Sequence, residues 1–121
     1  RHPLALWRGH LAAHGVLRAD ELPALPDRRR IKVAGLVTCR QRPQTASGVT
    51  FLTLEDERGF IHVVVWPQLL QRYYRPVHEA SLLGVAGYLQ QSDGVTHVVA
   101  GALVDLSDWL GEMQVASRDF A

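Results

Sequence analysis

The sequence predicts a mainly β domain: a closed barrel of five strands with one helix between the third and fourth, preceded by a short helical lead-in. Three observations lead there. From Arg30 onward the apolar residues recur with a period of two, the mark of half-buried strands. Gly35, Gly84 and Gly87 fall inside the long stretches read as strands, where an interior glycine marks a bend or bulge. One helical stretch, opened by Pro67, separates the third apolar run from the fourth.

The elements follow in order. Leu4, Trp7, Leu11 and His14 share one face of a predicted helix over 3–14, with Pro3 at its start and Gly15 as its stop. Asp20 is placed to cap a second short helix that Pro26 ends. Residues 1–29 are thus a helical lead-in or linker. Ile31–Arg40 reads as the first strand, with Gly35 near its middle. Gln41–Gly48 is a loop broken by Pro43 and Gly48. Val49–Leu54 is the second strand, and Glu55–Gly59 a tight exposed turn. Phe60–Trp66 is the third strand, rich in β-branched residues. Leu69, Leu70 and Tyr73 share one side of the helical stretch after Pro67, and of Tyr73 and Tyr74 one is expected to pack and one to face solvent. Ser81–Gln90 and Val95–Leu106 are the last two strands, joined by the hairpin signal Asp93-Gly94. The barrel spans 30–106, and 107–121 is a C-terminal tail. This β-β-β-α-β-β order is that of the oligonucleotide/oligosaccharide-binding barrel, the OB-fold.

Composition narrows the class. A chain of 121 residues, 47% hydrophobic, has room for one modest domain. It begins at Arg1 without a methionine, as a fragment or a processed product would. Its single cysteine excludes an internal disulfide and any multi-cysteine zinc site and suits a reducing, cytoplasmic setting. Its longest apolar runs are far short of the roughly 20 residues of a membrane helix, so no membrane association is expected. The net charge of +1 hides an asymmetry. Residues 1–45 hold nine Lys and Arg against three acids, and residues 46–121 hold four against nine. A basic half suits a polyanion; a solvated basic face accounts for it equally well.

Strand parity selects the outward residues. Leu52 and Leu54 form the core pair of the second strand, so Phe51 and Thr53 face out. Ile61, Val63 and Val65 form the core set of the third, so His62, Val64 and Trp66 take the other face, with Trp66 expected to pack under the helix. Phe51 and His62 make a candidate stacking platform. Arg40 and Arg42 are candidates to meet phosphates, and Ser47 and Thr53 complete the candidate nucleic-acid-binding set. His10 and His14 lack a third metal ligand, and the Glu55–Glu57 acids read as a solvated turn. No catalytic set, metal site or cofactor site emerges, which favours a binding module over an enzyme.

Three stretches carry a resemblance. They are Val33–Pro43, then Thr45–Glu57 with its ThrAlaSerGlyValThrPheLeuThrLeuGluAsp core, then Val63-Val64-Val65-Trp66-Pro67. They resemble the C-terminal OB domain of bacterial error-prone C-family DNA polymerases (the ImuC type), relatives of the polymerase III alpha subunit. The resemblance implies a parent polymerase acting in translesion synthesis and damage-induced mutagenesis. Its catalytic carboxylates, and the Mg they hold, would lie in a domain absent here. It implies single-stranded DNA as ligand, and as partners a Y-family-like clamp-binding protein and a RecA-like accessory protein. The looser pattern Phe51-x-x-Leu54-x-Asp56 is shared with anticodon-binding domains, where an outward Phe stacks on a base and a polar residue at the position of His62 contacts one. A second reading is a protein-interaction module, docking a partner through exposed Val64 and Trp66 or through the Asp119-Phe120 tail. A third is an RNA-binding domain of a synthetase-like protein.

Overall fold

A computed structural model describes residues 2–44 and 47–109. The order of elements is α1 (Pro3–Leu6), α2 (Arg8–Ala13), β1 (Val16–Leu17), a 3-10 helix (Ala19–Ala24), β2 (Arg30–Gln41), β3 (Thr50–Asp56), β4 (Gly59–Val65), α3 (Pro67–Arg72), α4 (Tyr74–Glu79), β5 (Leu82–Ser92) and β6 (Val95–Asp105). Strands β2 to β6 are the five expected from the sequence. They run in the order β2-β3-β4-β6-β5, and β5 pairs back onto β2, which closes the barrel. All joints are antiparallel except β4–β6, which is parallel and rests on Val63–Val98 and Val64–Val99.

Closure needs bends, and two residues show how the sequence supplies them. The β5–β6 register slips between Ala86 and Gly87. There a side chain at Gly87 would place its Cβ 2.0 Å from the Val99 carbonyl oxygen, so only glycine lets the strands meet. The expected hairpin turn has Asp93 and Gly94 both at positive φ, as a tight turn with the right-handed strand twist requires. Inside the barrel sit Leu52, Leu54, Ile61, Val63, Val65 and Leu89, each at most 2% exposed. Full burial of such side chains contributes about 1.5–3 kcal/mol each. Leu70 and Val77 add the apolar side of α3 and α4 to this core.

The helical segments differ from expectation in instructive ways. The helix over 3–14 divides at Trp7 into α1 and α2. The second helix is 3-10 in type and begins after Arg18, so Asp20 lies in its first turn and is not its cap. The stretch after Pro67 breaks at Tyr73, because the Pro76 ring cannot sit against the carbonyl four residues back. Tyr73 packs on the core and Tyr74 is exposed against His78, as expected of the pair.

The lead-in packs on the barrel. Leu4 and Leu11 form a second small core with Leu82, against which Trp7, Leu36 and Trp109 pack. Val16-Leu17 pairs in parallel with Lys32-Val33 of β2. That is the part of the β2 edge left over by β3, whose pairing starts at Leu36, so β1 covers backbone groups that would otherwise be bare. Of the tail, Ser107–Trp109 is described. The Ser107 hydroxyl accepts hydrogen bonds from the Ser81 and Leu82 amides. Residues 110–121, including Asp119-Phe120, lie outside the described residues.

The acidic turn is not the solvated one expected. Asp56 is 2% exposed. Its Oδ1 accepts from the Arg58 and Gly59 amides and its Oδ2 from the Ala19 amide, at 2.8 to 3.1 Å. Arg8 binds both carboxylate oxygens of Glu57 at 2.6 Å and reaches Asp56 at 3.6 Å. These acids hold the lead-in to the β3–β4 turn.

Candidate nucleic-acid interface

The β3–β4 hairpin carries the core on one face and a shallow groove on the other. Thr50, Leu52, Leu54 and Asp56 are buried while Phe51, Thr53 and Glu55 are half-buried, so the parity inferred for β3 holds. On β4, Ile61, Val63 and Val65 are buried and His62 is exposed. Val64 shares the parity of His62 yet is buried, which corrects its expected exposure. It pairs with Phe51 on one side and Val99 on the other and forms the floor of the groove.

The groove encloses about 450 Å³. Phe51 and Trp66 line it together with Ser47, Val49, Gln90 and His97. Trp66 is 51% exposed, so the expectation that it packs under the helix is overturned. As the residue before α3 it has an extended backbone (φ −71°, ψ 154°), the conformation a following proline favours. A methyl group on Gly48 would come within 3.3 Å of Pro67, so the β2–β3 loop is seated beside Trp66 and brings Ser47 to the groove.

The six candidate residues do not all come together. Ser47 and Phe51 line the groove. Thr53 and His62 pair across the hairpin two residues further from the loop. Arg42 is exposed at the loop end, with its guanidinium near Gly48. Arg40 does not join them. Its Nε donates to the Val77 carbonyl at 2.7 Å and its Nη2 donates to the Ala80 carbonyl, so the guanidinium neutralises the C-terminal carbonyls of α4. The phosphate contact first assigned to Arg40 gives way to this structural use.

His97 and Gln90 escaped the sequence reading. They pair across β5–β6, beside the core pair Leu89–Val98, and so face outward. The same parity rule applied to the fifth strand would have found His97. Further along, Arg30 pairs with the half-buried Tyr88, and Arg28, Arg29 and Arg30 are all exposed. Among the described residues no carboxylate forms an ion pair with any of these arginines or with Arg42. The arrangement therefore joins an apolar, aromatic-walled groove to flanking cations. Such a surface can stack flat rings and meet a backbone of negative charge.

A family model described as an OB-fold nucleic acid binding domain matches residues 31–106. The chain belongs to this family. The resemblance read from Val33–Pro43, Thr45–Glu57 and Val63–Pro67 is also met by relatives named error-prone DNA polymerase. One, from Pseudomonas paraeruginosa, is 52% identical over 119 residues, which are 98% of this chain and 12% of that protein. Another, from Azoarcus sp., is 52% identical over 120 residues, 99% of this chain and 11% of that protein. The chain thus spans about an eighth of the length of the curated relatives it matches. Among solved structures, asparaginyl-tRNA synthetase from Pyrococcus horikoshii overlays on the OB domain with a TM-score of 0.64 at 19% identity, covering 75% of this chain and 22% of that one. The S. pombe Stn1-ten1 complex overlays at 0.55 and 17% identity, covering 88% and 81%. Both likenesses are of fold.

Proposed function

We propose that this OB domain binds single-stranded DNA across the Phe51–Trp66 groove, as the nucleic-acid-binding part of an error-prone DNA polymerase acting in translesion synthesis and damage-induced mutagenesis. One observation carries the reading: two aromatic side chains line a single groove that opens beside a basic loop residue, Arg42. Bases stack on Phe51 and Trp66, Ser47 and Thr53 offer polar contacts, and Arg42 meets the phosphates at the loop end. Relatives at about half identity that are named error-prone DNA polymerases support the parent activity. In that parent, nucleotide transfer and its Mg belong to another domain, and this one holds the template strand. A Y-family-like clamp-binding protein and a RecA-like accessory protein are its proposed co-workers.

The protein-docking reading loses part of its basis. It needed Val64 and Trp66 as an exposed pair, and Val64 is buried. The test is fluorescence anisotropy of a labelled oligo-dT strand at low and moderate salt, with duplex DNA as competitor. Phe51→Ala and Trp66→Ala are each expected to weaken binding by about 1–3 kcal/mol. Arg42→Ala is expected to lower the salt dependence by about one phosphate contact. Wild-type affinity in both aromatic variants would remove the groove from the proposal.

A further inference from the structure

We propose that His62 and His97 form a proton-linked phosphodiester clamp at the edge of the groove, so that single-stranded DNA is held more tightly as the pH falls. The inference rests on the groove reading above and adds to it a named anion site. The two imidazoles stand on neighbouring strands joined in parallel, just before the pairs Val63–Val98 and Val64–Val99. Their ring centroids are 6.3 Å apart. One phosphate oxygen placed between them takes a hydrogen bond of about 2.9 Å from each ring. A protonated imidazole donates from both nitrogens, and a bond from a charged donor to an anionic oxygen is the stronger kind.

The surroundings give this pair its role. A strand lying along the groove brings phosphates past walls that carry no Asp, Glu, Lys or Arg. Arg42 stands at the loop end, and Arg40 is taken by α4. At the other end His97 is the ionisable group that lines the groove, and His62 lies beside it. Among the described residues neither imidazole has a hydrogen-bond or ion-pair partner to displace.

The acidic groups on β3, the 3-10 helix and the β5–β6 turn are engaged or sit at turns. Glu55 of β3 lies 3.5 Å from His2. Asp20 and Glu21 of the 3-10 helix are held by Arg18 at 3.0 and 3.2 Å, and Arg58 of the β3–β4 turn approaches Asp20 at 4.0 Å. Asp93 lies in the β5–β6 turn. Gln90, the cross-strand partner of His97, is neutral and can share a phosphate oxygen or a base edge.

Histidine is the side chain whose ordinary titration falls in the physiological range, so pH is the variable to scan. The experiment measures oligo-dT affinity of the 121-residue chain from about pH 8 to about pH 5.5 at constant ionic strength. The chains compared are wild type, His62→Gln, His62→Gln/His97→Gln and Phe51→Ala, with circular dichroism at each pH to confirm the fold. Wild-type affinity is expected to rise about tenfold on acidification. His62→Gln is expected to lose about half of that rise on a logarithmic scale, and the double variant all of it. Wild-type pH dependence retained in the double variant overturns the clamp. So does a flat wild-type profile. In either case weakening by Phe51→Ala leaves the groove reading standing. Absence of binding at every pH overturns both.

Discussion

The two ends of the β3–β4 hairpin are built on opposite terms. At the turn end, the carboxylates of Asp56 and Glu57 have protein partners. Asp56 accepts three backbone amides, and Glu57 takes Arg8 from the lead-in through two bonds. At the open end, Phe51 and Trp66 line a hollow that the protein leaves unfilled. The same two strands thus hold a fastening at one end and a receptive surface at the other, separated by the length of the hairpin. The difference teaches where to look for function in a small barrel: where side chains have been left without partners, not where charges are densest. Substitutions at the turn end should register as stability, and those at the open end as binding.

The sharpest way to break this division is Asp56→Ala. It takes the acceptor from the part-buried amide bonds of Ala19, Arg58 and Gly59 and removes a carboxylate from beside Arg8. A loss of about 3 kcal/mol in chemical denaturation is expected, with oligo-dT affinity of the folded protein unchanged. A loss below about 1 kcal/mol would mean the fastening is ornamental. Arg40→Ala should cost less, about 1 kcal/mol, since it frees the α4 carbonyls to water. Its salt dependence of DNA binding should match wild type, whereas a reduced slope would return Arg40 to the interface.

The smallest effect concerns acid. Burial pushes the Glu57 carboxyl up, but the Arg8 hydrogen bond, a backbone bond and the charges of Arg8 and His2 outweigh it and hold Glu57 below the usual glutamate range. The Arg8 guanidinium is correspondingly raised, first by its hydrogen bond to Glu57. A carboxyl depressed on folding stabilises fully above its unfolded pKa and loses that contribution as pH falls through the folded value. Wild type should therefore lose stability relative to Glu57→Gln on going from about pH 5 to about pH 3, by a few tenths to about 1 kcal/mol. Parallel denaturation series check it. Equal losses in the two proteins would mean that Arg8 does not depress Glu57.

How much of this was legible in the sequence depends on the range of the interaction concerned. The strands were, because alternation in Val49–Leu54 and Phe60–Trp66 is a property of neighbours. The outward face of Phe51 follows from the same rule. Arg40 and Asp56 were misread because their partners are remote: the carbonyls of Val77 and Ala80 for one, the Ala19 amide for the other. No local pattern announces a contact across 37 residues. Trp66 was placed under the helix because a residue beside Pro67 looks like part of the helix start. Its extended backbone instead directs it to the groove. β1 was invisible for a different reason, since two residues have no period. Only the uncovered stretch of β2 makes Val16-Leu17 a strand.

The parallel joint between β4 and β6 has one more consequence. It is the narrowest joint in the barrel, held at Val63–Val98 and Val64–Val99, whereas β3–β4 is paired from Thr50–Val65 to Asp56–Gly59. The fewest backbone pairs thus hold the barrel along this line, which runs beneath the groove floor and between His62 and His97. A strand bound as proposed would lie across the line as a hasp, so that occupancy of the surface and closure of the barrel would strengthen each other, as linkage requires.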